Sequence, residues 1–315
     1  MHSKNEDGGA SVATRRTWLG RVGAAAALAP LAACSTLGPS PAPAPAAAVP
    51  VVPRPAPRPP RIGLALGGGA ARGFAHIGVI QVLEEQGIRP DLVVGTSAGS
   101  LVAALYASGR TGTELAALAA EMNEGSITDW MFPGRALLRG EALARYVREK
   151  TGGRNIEQMK LPLGVVATDL DSGEPILFRR GDPGAAVRAS SAVPALFQPV
   201  TIGGREYVDG GLVSPVPVRF AREMGADVVI AVDISAEPAG NPTTDAMKML
   251  LQTFAIMSRS INHYELREAD VVARPKLAGI SSADFAQRRL SVLAGREAML
   301  TVLQQLKERI AAKTR

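Results

Sequence analysis

Cysteine, histidine and aromatic side chains are all scarce in this sequence, and each shortage removes a class of explanation. There is 1 cysteine, Cys34, so no internal disulfide can form in any compartment. Aromatic residues make up 4% of the chain, and no run of Lys and Arg is interleaved with them, which excludes an ordinary nucleic-acid interface. The formal net charge of +6 is thinly spread, a mildly basic surface at most. Only 3 histidines occur, His2, His76 and His263. Internal repeats are absent, and the early apolar run from Val22 to Ala33 is too short for a permanent membrane span.

That early run still has a use. Arg15-Arg16-Thr17-Trp18-Leu19 precedes it, and small residues end it, which describes an export signal of the twin-arginine type. The run closes as Leu31-Ala32-Ala33-Cys34, which resembles a bacterial lipobox in which Cys34 is lipidated and becomes the new N-terminus. The alternative is a cleaved signal that happens to contain a cysteine. Ser40 to Pro60 is rich in Pro and Ala and tends to extended polyproline geometry, a semi-stiff tether. The expected organisation is a lipoprotein signal over 1–33, a tether over 34–60 and one domain over 61–315. With Ser35 following Cys34, the lipobox reading implies a periplasm-facing protein, by preference at the outer membrane.

Within the domain, buried strands alternate with helices, which predicts a three-layer α/β/α sandwich around a mostly parallel sheet. Apolar strands are expected at Ile62–Leu66, Asp91–Val94, Leu163–Asp169, Arg205–Val208, Asp227–Asp233 and Asp270–Arg274, with a hairpin partner at Glu174–Arg179. Helices are expected at Phe74–Gln86, Leu101–Tyr106, Thr113–Asn123, Val216–Glu223, Asp245–Tyr264 and Phe285–Ala312. The segment from Ile127 to Leu138, with Trp130, Met131, Phe132 and Pro133, is either a substrate-facing flap or a core patch.

Two loops carry the chemistry. Gly95-Thr96-Ser97-Ala98-Gly99 lies between a strand and a helix, the context of a nucleophile elbow with Ser97 exposed at its tip. A plain strand-to-helix turn with a capping serine is the other reading. Gly67-Gly68-Gly69-Ala70-Ala71-Arg72-Gly73 follows the first strand and offers backbone N–H groups to a negative charge. Its glycine spacing fits neither a dinucleotide fingerprint nor a P-loop, so an oxyanion hole is favoured over a phosphate cradle. None of the histidines lies on an obvious strand-end loop beside Ser97. An acid at a strand end can take the serine proton instead, and Asp209 in Asp209-Gly210-Gly211 is the candidate, unless it is only a turn residue. Asp169 and Asp171 lack His or Cys company and read as a turn, not a metal site.

Leu64 to Val79, the Gly95–Gly99 elbow and Asp209-Gly210-Gly211 together resemble the patatin-like phospholipase family, in the order and spacing of its bacterial branch. The resemblance implies a serine acyl hydrolase without metal or organic cofactor. Ser97 would be the nucleophile, Asp209 the general base, and the backbone N–H groups of Gly68, Gly69 and Arg72 the oxyanion hole. Its substrate would be a phospholipid or other lipid ester, with the membrane reached through the anchor at Cys34. Acyl transfer by the same pair, and lipid binding by a degenerate site, are the alternatives. One position departs from the family pattern, since its central loop glycine is Ala70 here. His76 falls in the family's helix segment as a packing residue, and Ser190 and Ser191 in a segment beside the site, as wall or turn.

Overall fold

A computed structural model describes residues 58–122, 125, 127, 129, 136–241, 243–280 and 285–314. Cys34, the tether up to residue 57 and the Trp130–Pro133 cluster lie outside them.

Eight strands and eight α-helices alternate along these residues. The strands are β1 (Ile62–Leu66), β2 (Leu92–Thr96), β3 (Leu163–Asp169), β4 (Pro175–Phe178), β5 (Val200–Ile202), β6 (Arg205–Asp209), β7 (Val228–Val232) and β8 (Val271–Ala273). The helices are α1 (Ala75–Glu85), α2 (Ala98–Ala107), α3 (Gly112–Glu121), α4 (Glu141–Lys150), α5 (Pro183–Ser190), α6 (Val218–Glu223), α7 (Ala246–Glu265) and α8 (Arg288–Lys313). The helix expected from Phe74 instead begins at Ala75, because Ala70–Phe74 winds as a 3-10 turn out of the glycine loop.

β1, β2, β3 and β7 are buried along their whole length, as strands covered on both faces must be. Alternate side chains then serve separate cores. Leu64, Leu66, Val93, Ile230 and Val232 pack with α1, α2 and α8 on one face. Ala65, Val94, Val166, Val229 and Ala231 pack with α6 on the other. The three layers are those read from the sequence. Six strands, β1, β2, β3, β5, β7 and β8, run in one direction, and β4 and β6 run against them, so the sheet is mostly parallel with a mixed edge. Short returns cause this. Leu170–Glu174 turns β3 straight into β4, with the Asp169 carboxylate accepting the N–H groups of Asp171 and Ser172.

One detail of register matters for everything below. Ala167 and Thr168 of β3 pair with both β4 and β6, which must therefore lie on opposite edges of β3. Val165 and Val166 pair with both β2 and β4, so β2 is also opposite β4. β2 and β6 thus follow one another along the same edge. Thr96 faces Val166, and Asp209 faces the next residue, Ala167.

On the outer face α1 and α8 meet backbone to backbone. A Cβ on Gly78 would run into the Val292 carbonyl, and one on Gly295 into that of Ala75.

Candidate active site

Ser97 sits where β2 passes into α2 with φ 52 and ψ −124, a conformation that a non-glycine residue adopts only under constraint. Several bonds supply it. The Ser97 N–H donates to Ser190 Oγ at 2.8 Å, and its carbonyl accepts from Ser100 N–H at 2.8 Å and Ser100 Oγ at 2.6 Å. Thr96 Oγ1 donates to the Ser214 carbonyl at 2.8 Å. The glycines on either side allow the tight packing. A side chain on Gly95 would strike the Gly99 backbone, and one on Gly99 would strike the Leu66 carbonyl.

Asp209 closes β6 beside it. Ser97 Oγ donates to Asp209 Oδ2 at 2.8 Å, and Gly211 N–H donates to Oδ1 at 2.6 Å. The Asp209 main chain is tied on both sides, its N–H to the Ala192 carbonyl at 3.0 Å and its carbonyl to Thr168 Oγ1 at 2.8 Å. Its side chain is buried, and desolvation pushes the carboxyl up to about 6 against the two hydrogen bonds that favour the ionised form. It is therefore mostly ionised at neutral pH, yet basic enough to accept a proton.

Histidine plays another part. His76 is buried, its Nε2–H donating to the Gly67 carbonyl at 2.8 Å. Burial lowers its pKa to about 4, with the Gly67 bond and Asp233 opposing, so it stays neutral and holds the loop. His263 lies on exposed α7 against Arg267, and His2 is outside the described residues.

The glycine loop departs from the expected donor set. Gly68 N–H donates to the Pro215 carbonyl at 2.9 Å, and Arg72 N–H to that of Gly69 at 3.2 Å. Both are engaged because the loop leans on the turn after β6 and then winds into its 3-10 turn. The amides of Gly69, Ala70 and Ala71, at the start of that turn, have no partner among the described residues. Of the three donors named from the sequence, only Gly69 is free to bind an anion. Ala70 stands at φ 51, which explains why a glycine belongs at this position.

Ser97 lies at the junction of two cavities. A larger one, about 590 Å³, is walled by Gly69, Asp209, Asn241, Lys248 and Gln252. A smaller one, about 360 Å³, is lined mainly by apolar side chains, among them Leu101, Leu105, Leu118, Leu143 and Phe197. Ser191 faces this second cavity, whereas Ser190 is fully buried behind Ser97 and hydrogen-bonds it. Nothing local in the sequence separates these two serines. Among the described residues, no group of three or more His, Cys, Asp or Glu side chains is placed to hold a metal ion.

A family model described as patatin-like phospholipase matches residues 64–222. An uncharacterized NTE family protein of Mycobacterium tuberculosis is 40% identical over 190 residues, which cover 59% of this chain and 52% of that protein. Patatin-like phospholipase domain-containing protein 6 of Mus musculus is 32% identical over 229 residues, covering 70% of this chain and 16% of the mouse protein. The chain thus spans about half the length of the mycobacterial relative and a smaller share of the mouse one. Among solved structures, VipD from Legionella pneumophila superposes with a TM-score of 0.55 at 16% identity, covering 79% of this chain and 68% of VipD. At that identity the likeness is one of fold.

Proposed function

The chain belongs to the patatin-like phospholipase family, and we propose that it is a serine acyl hydrolase cleaving ester bonds of lipids through Ser97 and Asp209. The observation that carries this reading is the 2.8 Å hydrogen bond from Ser97 Oγ to a buried carboxylate, at an elbow where neither described histidine, His76 or His263, hydrogen-bonds either group.

In the proposed reaction Asp209 accepts the Ser97 proton as Oγ attacks the ester carbonyl. The Gly69 and Ala70 N–H groups stabilise the resulting oxyanion, each worth about 10²–10³-fold in rate by analogy with other oxyanion donors. The protonated Asp209 then gives its proton to the departing alcohol, leaving an acyl ester on Ser97. Water, deprotonated by the same carboxylate, releases the fatty acid. The apolar cavity suits the acyl chain, and the larger, more polar one suits the alcohol portion with its headgroup.

Ser97→Ala should reduce hydrolysis of a p-nitrophenyl ester and of phospholipid by several orders of magnitude. A fluorophosphonate should label the wild type at Ser97 and leave the variant unlabelled. Ordinary ester hydrolysis surviving in Ser97→Ala would sink the mechanism. We propose in addition that Cys34 is lipidated and tethers the domain at the periplasmic side of the outer membrane. Cys34→Ala should then move the protein from the membrane to the soluble fraction, and its retention would count against the anchor.

A further inference from the structure

The first three turns of α7 are apolar on almost every side. From Ala246 to Met257 only Lys248, Gln252 and Thr253 are polar, yet only Ala255 of this stretch is buried. A helix of that composition ordinarily belongs in a core. Its two sides meet different surroundings. Lys248, Leu251, Gln252, Ala255 and Ser258, spaced three and four apart, line the larger cavity at Ser97. On the side turned away from it, Met249, Ile256 and Met257 are 53%, 54% and 39% exposed, and Tyr264 two turns further on is 69% exposed.

We propose that this outer side of α7 docks on a lipid surface and sinks into its interfacial layer, so that a lipid ester reaches Ser97 along the inner side of the same helix. The proposal rests on the acyl-hydrolase reading and names the source of the substrate, a bilayer leaflet.

Three observations favour lipid over a protein partner. Charges along the helix are matched within the chain, Lys248 to Asp245 at 2.9 Å and Arg259 to Glu237 at 3.8 Å, which leaves little charge pattern for a partner to recognise. At the far end the Arg267 guanidinium lies over the Tyr264 ring at 5.5 Å, an amphipathic ring and a long-stemmed cation where the apolar side stops. The helix also borders the reaction cavity itself, so its seat and the substrate's route are continuous.

The test uses the full chain carrying Cys34→Ser, which removes the anchor, with and without Met249→Glu and Met257→Glu together. Flotation with phosphatidylcholine vesicles reads docking, and turnover of a soluble p-nitrophenyl ester reads folding and the site. The Cys34→Ser chain should float with the vesicles, little changed by salt of about 0.5 M because apolar burial is not screened. The double variant should bind at least about tenfold less, with soluble-ester turnover intact, since two buried apolar side chains become charged. Met249→Leu with Met257→Leu should restore binding. Equal flotation of the double variant, or none by the Cys34→Ser chain, would overturn the proposal. So would a dimer of the Cys34→Ser chain that the glutamates dissociate while flotation persists, since the face would then belong to a second copy. Flotation involves no chemistry. Vesicle binding without hydrolysis would count against the acyl-hydrolase reading while supporting the docking face, and hydrolysis without binding would do the reverse.

Discussion

The Ser97 N–H donates to the Ser190 hydroxyl at 2.8 Å, and that hydroxyl donates in turn to the Val166 carbonyl at 2.5 Å. A residue in a strained conformation is thereby pinned to β3 through a side chain with no access to water. Ser190→Ala would leave the Ser97 N–H without a partner, at a stability cost of about 1–3 kcal/mol. It should lower kcat by about 10- to 100-fold with KM little changed, because the nucleophile moves while the cavities do not. Steady-state kinetics beside thermal melts would check this, and a kcat within about twofold of wild type would reduce Ser190 to packing.

Asp209 should set the acid limb of activity. As the base it must be ionised, so soluble-ester turnover should fall as pH drops through about 6. Stability should run the opposite way. The native state keeps this proton in a range where the unfolded chain, at about 3.9, has released it, so acidification from about 6 towards 4 favours folding through this group. Asp209→Asn should therefore abolish turnover while raising stability near pH 7 by up to about 3 kcal/mol. A rate unchanged from about pH 7 to pH 5 would remove Asp209 from the role of base.

Ala70 carries a conformational penalty in the oxyanion loop. With φ at 51 its Cβ is disfavoured, and glycine relieves the clash at the expense of a more disordered unfolded chain. Ala70→Gly should raise stability by about 0.5–1 kcal/mol and keep the ester rate at or above that of wild type. A Tm that falls would mean that the methyl packs usefully against the apolar cavity it borders.

How much of this was legible beforehand follows from what each feature depends on. β1, β2 and β7 are continuous apolar runs, and the elbow and Asp209-Gly210-Gly211 have local signatures, so composition and spacing found them. Ala70 was visible as a departure, and its positive φ supplies the reason. The helix α5 carries its own local signal, Asp182 as cap and Pro183 in its first turn. Other features belong to pairs of distant residues. The capture of Gly68 N–H by the Pro215 carbonyl and the bond between Ser97 and Ser190 join segments that no local pattern links. The mixed sheet likewise depends on which edge of β3 each strand chose.

Gly295 illustrates the same point as a matter of stability. Read along the chain it is one weak position in a long helix, but in space it lets α8 rest on the Ala75 carbonyl of α1. Gly295→Ala should gain about 1 kcal/mol of helix propensity and lose more to overpacking, for a net loss of about 1–2 kcal/mol. Denaturant melts would measure it, and a stabilised variant would show that the two helices separate without cost.

The edge shared by β2 and β6 gives this scaffold a freedom of its own. Nucleophile and base are 112 residues apart in sequence, yet Thr96, just before the nucleophile, and the base Asp209 pair with adjacent rungs of one strand, Val166 and Ala167. Nearly everything inserted between β2 and β3, including α3 and α4 with their apolar cavity walls, is free to be lengthened, exchanged or redesigned for another acyl shape while the reacting atoms stay put. A single residue added within β3 would do what a hundred elsewhere would not, shifting the ladder by one step of about 3.3 Å and parting the pair. Diversification in this architecture is cheap in the connections and closed in the strand.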